Sequence, residues 1–366
     1  MSTVSLLDVL AAPNLCGVIQ GTTTGIPNVF PAGFFKVDQT VDKDTGTYFR
    51  VTGTRTTARA VAYGAPSLAR QLRNVEEVPF KLIHVAENVN FPMAQFRNLM
   101  EKGTLNIDEK GVREITRQVR EARKNVDNLR VAALTQMLFN GQIYFDGQGN
   151  LLPSSSGART TVDFAVPAGN KGQLNWDGNG SVLTAGWESA ATDIATQLIT
   201  LRRAAERLTG YELRHAFYGR NIPGYLTGNT TLQSYFIRNQ ETNAEYLRTA
   251  DVPSPLLGLS WHPAYSAFFE DANGNDQSLV GDDQVVFTPE PDTDWVGFLE
   301  GTIDVPGSVT YAADIGTALD SVVPASGMFA YGSITTDPVA IKLVYGDTFL
   351  PVLKVPKAIF IATVNF

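Results

Sequence analysis

The sequence predicts an α+β fold in which one long amphipathic helix acts as a spine between strand-rich segments. Three observations carry this. From Asp108 to about Phe139, Val112, Ile115, Val119, Ala122, Val126, Leu129 and Ala133 recur at spacings of three and four. A second stretch of that spacing runs from Trp187 to Leu208 through Ala191, Ile194, Leu198, Leu201 and Ala205. Finally, Met328 to Phe366 reads as strand after strand and ends in Ala358-Ile359-Phe360-Ile361-Ala362-Thr363-Val364.

Taken in order, residues 1 to about 33 alternate short apolar words with Thr, Gly and Pro, a pattern that predicts an extended arm gaining burial only against a partner. Phe34 to Val89 is strand-like: Tyr48-Phe49-Arg50-Val51 and Phe80-Lys81-Leu82-Ile83-His84-Val85 flank a middle, Thr52 to Leu72, poor in large apolar residues. That middle, with Arg55, Arg59, Arg70 and the adjoining Arg73, reads as a long projecting loop. The spine helix follows, with Asp108 as candidate N-cap and Gly141 as its stop; roughly 30 residues at about 1.5 Å each span about 45 Å. Such a helix is too long for a small domain's core and suits an elongated subunit. Its outer face carries Arg113, Arg117, Arg120, Arg123, Lys124 and Arg130.

Gln142-Ile143-Tyr144-Phe145 and a strand-like stretch near Thr160 to Val166 predict a hairpin, with turn residues at Asp146-Gly147-Gln148-Gly149-Asn150. A Gly/Asn-rich linker, Pro167 to Ser181, leads to the second helix, which ends before Gly210 and opens a new domain. Leu256 to Ser260 and Gln284 to Thr288 are expected strands of one sheet, and the terminal strands are expected to return to an earlier domain. The resulting division is 1–33, 34–90, 91–180, 181–327 and 328–366.

The 366 residues, 43% hydrophobic and 18% charged, suffice for a sizeable core and favour more than one domain. Cys16 is the only cysteine, which excludes an intrachain disulfide and a cysteine zinc site. The uncharged stretch from Val9 to Phe35 is broken by three prolines and four glycines, so neither a signal peptide nor a membrane helix is expected. A net charge of −8 argues against strong phosphate-driven nucleic-acid binding. The charge is unevenly spread: Arg50 to Arg130 holds fifteen Lys/Arg against nine Asp/Glu, while Thr249 to Ile341 holds fourteen Asp/Glu and no Lys or Arg. Either both are solvated surfaces, or opposite patches meet between neighbouring copies.

Catalytic chemistry finds little support. His84, His215 and His262 are far apart in sequence, outside any metal-ligand spacing, and read as structural. Cys16 sits in the arm, where a nucleophile would not be held. Phosphate-loop, dinucleotide and nucleophile-elbow motifs are missing. Asp271-Ala272-Asn273-Gly274-Asn275-Asp276 departs from a calcium loop at the sixth position, Asp276, and the twelfth, Asp282. Glu290, Asp292 and Asp294 offer carboxylates for glycoside hydrolysis, but the neighbouring prolines predict an exposed acidic loop with no fixed separation. Catalytic, cofactor and metal sites are therefore all expected to be lacking.

The order of arm, projecting basic loop, spine helix, hairpin, crossover, helix-led second domain and returning strands resembles the major capsid proteins of tailed phages. More narrowly, it looks like the lambda-type major capsid protein E family, with the Hong Kong phage capsid fold, or Johnson fold. Tyr211-Glu212-Leu213-Arg214-His215-Ala216-Phe217-Tyr218-Gly219 and Asn221-Ile222-Pro223-Gly224-Tyr225-Leu226 resemble a segment common in that family. The resemblance implies that Asp108 to Phe139 is the spine helix of a peripheral domain, that Phe34 to Val89 contains the extended loop, and that Trp187 to Leu208 opens the axial domain. It implies hexamers and pentamers of the chain closing into an icosahedral shell around packaged double-stranded DNA, contacted weakly and non-specifically. The expected partners are other copies, a separate scaffolding protein, a portal and a decoration protein; the expected place is the virion, after assembly in the host cytoplasm. Arg55, Arg59, Arg70 and Arg73 are candidates for docking onto Asp282, Asp283, Glu290, Asp292 and Asp294 of adjacent copies. An encapsulin-type nanocompartment shell and a β-rich carbohydrate-binding or hydrolytic protein are the competing readings.

Overall fold

The computed structural model describes residues 4–21, 29–51, 75–92, 106–107, 109–175, 180–233, 251–270, 276–306, 310–311, 322–336 and 339–366. The N-terminal segment folds as two helices, α1 (Leu6–Leu10) and α2 (Ala12–Gly21), where the sequence led us to expect an extended arm. Pro13 stands in the first turn of α2, where a missing N–H costs no helical bond. Leu15 and Ile19, four residues apart, then share a face. With Leu10 they are buried against Val119 of the spine helix and Ile341 and Leu343 of a central strand, so this segment finds its burial on its own subunit.

A 3₁₀ turn at Ala32–Phe35 leads into β1 (Val37–Val41), β2 (Thr45–Val51), β3 (Val75–Lys81) and β4 (Ile83–Pro92). The strands flanking the basic stretch form an antiparallel hairpin, with Thr45 opposite Lys81 and Val51 opposite Val75; the strand expected at Phe80 to Val85 is divided between the end of β3 and the start of β4. The basic stretch itself lies outside the described residues.

The spine is α3 (Glu109–Asn140), whose 32 residues at about 1.5 Å each span about 48 Å. The proposed N-cap, Asp108, lies outside the described residues. As far as Val126 only one face is buried, whereas every residue from Ala132 to Phe139 is, so the last two turns run through the core. Gly141, at φ +69°, donates its N–H to Met137 O at 3.0 Å and stops the helix in the left-handed conformation that glycine adopts without strain. The buried Gln136 side chain accepts from Tyr144 N at 3.1 Å and donates to Leu152 O, which pins the helix end to the next hairpin. That hairpin, β5 (Gln142–Phe145) and β6 (Thr160–Asp163), is the expected one. Asp146 Oδ1 accepts Gln148 N and Asn150 N at 2.7 and 2.8 Å and closes its turn.

The Gly/Asn-rich stretch that follows is stitched into the fold: β7 (Lys171–Gly172) pairs with the last strand, and the Asn170 amide donates to Lys357 O and Ile359 O at 3.0 and 2.9 Å. The second helix, α4 (Ile194–Thr209), begins seven residues later than its apolar spacing suggests. Asp193 caps it by accepting Thr196 N at 3.1 Å. Trp187 belongs instead to the preceding turns and anchors them through Nε1, which donates to Gln197 Oε1 at 2.9 Å.

The principal elements that follow are β8 (Leu213–Tyr218), α5 (Ile222–Gly228), β9 (Ser260–Pro263), β10 (Gln284–Pro289), β11 (Val296–Pro306), β12 (Val322–Ser326), β13 (Phe329–Thr336), β14 (Val339–Leu353) and β15 (Phe360–Thr363). The expected strand at Leu256 to Ser260 is a turn, closed by reciprocal Leu256–Leu259 backbone bonds at 3.0 and 3.1 Å, and the strand proper starts at Ser260. Pro255 and Gly258 make the turn the cheaper conformation there.

Two sheets organise the molecule. In the larger, β14 is the hub: it pairs with β13 and β4 along its first two-thirds and with β11 beyond, while β1 and β12 pair with β11. In the smaller, the order is β9-β8-β10-β15-β7. The terminal strands therefore divide: β13 and β14 join the larger sheet, whereas β15 pairs with β10 in the smaller one and does not return with them. The chain also re-enters the larger sheet at β11, well before the expected boundary at 328, because β11 needs β14 as its antiparallel partner. One core, containing Phe34, Leu138, Phe217, Trp295 and Phe349, lies under the end of α3 and joins the two sheets; a second lies between α4 and the smaller sheet.

Candidate assembly surfaces

The β2–β3 hairpin has two unlike faces. Tyr48, Val78 and Phe80 pack on Leu82, Leu299, Leu350 and Val352, which fixes the hairpin to the larger sheet. On the opposite face Phe49 is 55% exposed and Val75 49% exposed, large apolar side chains left half open to solvent. The cross-strand pair Arg50–Glu76, 3.4 Å apart, lies on the packed face, next to the Tyr48–Val78 pair. Arg55, Arg59, Arg70 and Arg73 lie outside the described residues, so only the base of the predicted basic loop is placed.

Of the acidic candidates, Asp282, Glu290, Asp292 and Asp294 are exposed and Asp283 is half-buried. Asp282 and Asp283 precede β10, and Glu290, Asp292 and Asp294 form the turn between β10 and β11, so one strand carries both groups at opposite ends. Asp283 is already engaged within its own subunit: Oδ1 accepts Asn221 Nδ2 at 2.9 Å and the Tyr225 hydroxyl at 2.7 Å. Those bonds hold its carboxyl below the usual range against the opposing effect of burial, which leaves it poorly available to a neighbour's arginine. Glu290 is tethered as well, through a contact the sequence does not reveal.

That contact is a chain of two histidines and a carboxylate. The parallel pairing of β8 with β9 sets Phe217 beside His262, and His215 Nδ1 lies 2.9 Å from His262 Nε2. His215 Nε2 lies 3.0 Å from Glu290 Oε2. The carboxylate only accepts, so with neutral rings His215 donates Nε2–H to Glu290 and its Nδ1 accepts from His262. Burial, and then the charge of His215, push His262 down to about 4 against the pull of Glu290. Because the folded protein favours neutral His262, its contribution to stability is complete above about pH 6.5 and is lost as pH falls toward 4. Thermal unfolding from pH 7 to pH 4 is expected to show a steeper loss for the unmodified chain than for His262→Gln; superimposable profiles would show that the pair does not titrate in this window.

Among the described residues, no cluster of three or more His, Cys, Asp or Glu side chains is arranged to hold a metal ion. The Asp271–Asn275 part of the suspected calcium loop lies outside them. Cys16 is held rather than loose: Sγ is 3.3 Å from Ala330 O and 3.4 Å from Ala330 N, and burial pushes the thiol pKa up, which disfavours the nucleophilic thiolate. No helix among the described residues is long and apolar enough to cross a membrane.

A buried ionic clamp joins α3 to the larger sheet. Arg130 Nε and Nη2 hold Asp347 at 2.5 and 2.9 Å, and Nη2 also reaches Glu300 at 2.9 Å. Its guanidinium lies 5.5 Å from the centre of the Phe349 ring.

Comparison with known proteins agrees with this picture of a body built to present surfaces. A search of curated sequences gives no match. Among solved structures, a protein described as the capsid protein of a prophage of Escherichia coli CFT073 aligns over 100% of both chains at 13% identity, with a TM-score of 0.53. A phage-related protein of Bordetella bronchiseptica RB50, also 13% identical, aligns over 96% of this chain and 97% of its own, with a TM-score of 0.50. The α+β capsid fold expected from the order of elements is thus the fold observed. The family described as phage major capsid protein E matches residues 24–364, nearly the whole chain; the protein belongs to that family.

Proposed function

We propose that copies of this chain close as hexamers and pentamers into an icosahedral shell around phage DNA. The observation that supports this most is the hairpin: one face is anchored in the larger sheet and the other leaves Phe49 and Val75 exposed, as a contact between copies requires. Its place is the virion capsid. In this reading α3 and the larger sheet form the peripheral domain, and α4, α5 and the smaller sheet form the axial domain. A separate scaffolding protein, a portal and a decoration protein complete the set of partners, and the shell role requires no catalytic site.

Arg55, Arg59, Arg70 and Arg73 dock onto the acidic turns of adjacent copies, chiefly Asp282, Asp292 and Asp294, since Asp283 and Glu290 are occupied within their own subunit. Contacts repeated around a closed shell need not be strong one by one. The double reversal R55E/R59E is expected to leave the subunit folded, by circular dichroism and thermal midpoint, while sharply lowering particle yield. Normal particles from that variant would remove the docking scheme.

A further inference from the structure

We propose that the exposed face of α3 is a docking surface for the phosphate backbone of duplex DNA, carried by a stripe of Lys110, Arg113, Arg117, Arg120 and Lys124. This rests on the capsid reading and adds to it which face of the subunit turns toward the packaged genome. All five side chains are exposed. At about 3.6 residues per turn they fall within an arc of roughly 80°, and the 14-residue interval from Lys110 to Lys124 spans about 21 Å. The buried face of the same helix, Ile115, Val119, Ala122 and Val126, is fixed against α2 and the larger sheet, so the stripe points away from the body.

The local balance of charge favours a polyanion. Residues 109–124 hold six Lys/Arg against three Asp/Glu, in a chain whose net charge is −8. Glu109 pairs with Arg113 at 2.6 Å, and Glu114 and Glu121 pair with Arg117 at 2.6 and 2.9 Å. These pairs are well exposed, and such pairs are worth roughly 0–1 kcal/mol, so the arginines can exchange a carboxylate for a phosphate at little cost. Lys110, Arg120 and Lys124 have no ion pair among the described residues. Successive basic groups, three or four residues apart, rise about 4.5–6 Å along the helix. Each DNA strand offers a phosphate about every 3.4 Å of axis but completes a turn in about 34–36 Å, so a straight 21 Å stripe meets only the few phosphates that face it, which suffices for a weak contact. No side chain here is placed to read bases, which makes the interaction independent of sequence.

The test is fluorescence anisotropy of a labelled 30-base-pair duplex titrated with the full chain over 25–200 mM NaCl. R120E/K124E is compared with R203E/R207E, which makes the same change of charge on the exposed surface of α4. R120E/K124E is expected to weaken binding at least tenfold and to reduce the salt slope by about 2, at roughly 0.9 for each phosphate no longer neutralised. R203E/R207E is expected to change both far less. Equal losses from the two variants would mean that net charge and not the stripe governs binding, and no binding by the unmodified chain would end the proposal outright. Electron microscopy of the same preparations separates the levels. Closed shells from R120E/K124E together with weakened DNA binding support the stripe, whereas lost shells with unchanged DNA binding would make it a surface between copies and overturn the proposal. Failure of the unmodified chain to form shells would instead count against the capsid reading.

Discussion

Replacing Arg130 by methionine is expected to destabilise the folded subunit by about 3–5 kcal/mol, the cost of leaving a buried charge without its partner. Asp347 is fully buried and Glu300 is mostly so, and Arg130 is the cation that serves both. Burial pushes the Asp347 carboxyl up against the pull of Arg130, so removing the guanidinium leaves a group that is costly whether it stays charged or takes a proton. The clamp also ties α3 to β14 and β11 where the helix enters the core, so its loss loosens the spine on the sheet. The companion variant R130M/D347N, which removes the two most deeply buried charges and leaves only the partly exposed Glu300 without its cation, is expected to recover part of the loss. Denaturant unfolding of the three proteins measures this; a loss under about 1 kcal/mol for R130M would show the site to be solvated.

The double substitution F49D/V75D is expected to act on assembly and not on folding. Both side chains project from the outer face of the β2–β3 hairpin, so the subunit should keep its unfolding free energy to within about 0.5 kcal/mol. Between copies the effect is large. Burying a phenylalanine and a valine is worth roughly 1.5–3 kcal/mol each, and two carboxylates in their place must be desolvated or repelled. A weakening of even about 3 kcal/mol per interface lowers its association constant more than a hundredfold, and a closed shell repeats that interface in every subunit. Sedimentation should therefore show folded subunits or small oligomers in place of particles. Particles in ordinary yield would mean that this face stays open to solvent in the shell.

What the sequence discloses follows from how local each signal is. The spine helix is legible because its apolar residues keep the three-four spacing over many turns, and β2 because Tyr48-Phe49-Arg50-Val51 reads as a strand, whereas β3 is hidden by Glu76, Glu77 and Pro79. Helix α2 is not, since Pro13 and Gly17 read as breakers; in the structure Pro13 occupies the first turn, and a side chain at Gly17 would meet open space. Helix α4 is placed too early because Trp187 and Ala191 continue its spacing by coincidence, and only the Asp193 cap marks the true start. The two clusters that matter most are set by topology. Arg130 and Asp347 are 217 positions apart, and His215 and His262 are 47 apart and meet only through a parallel strand pairing. No periodicity within either segment announces such contacts. The division of the last strands between two sheets is hidden for the same reason, since each reads only as a buried strand.

The central claim, that this chain builds a shell from copies of itself, is tested most directly by negative-stain electron microscopy of the purified, overexpressed protein beside size-exclusion chromatography. Closed shells, or the rings and tubes of partly assembled capsomers, are the expected result. A uniform monomer of about 40 kDa that persists when a candidate scaffolding protein is supplied would contradict it.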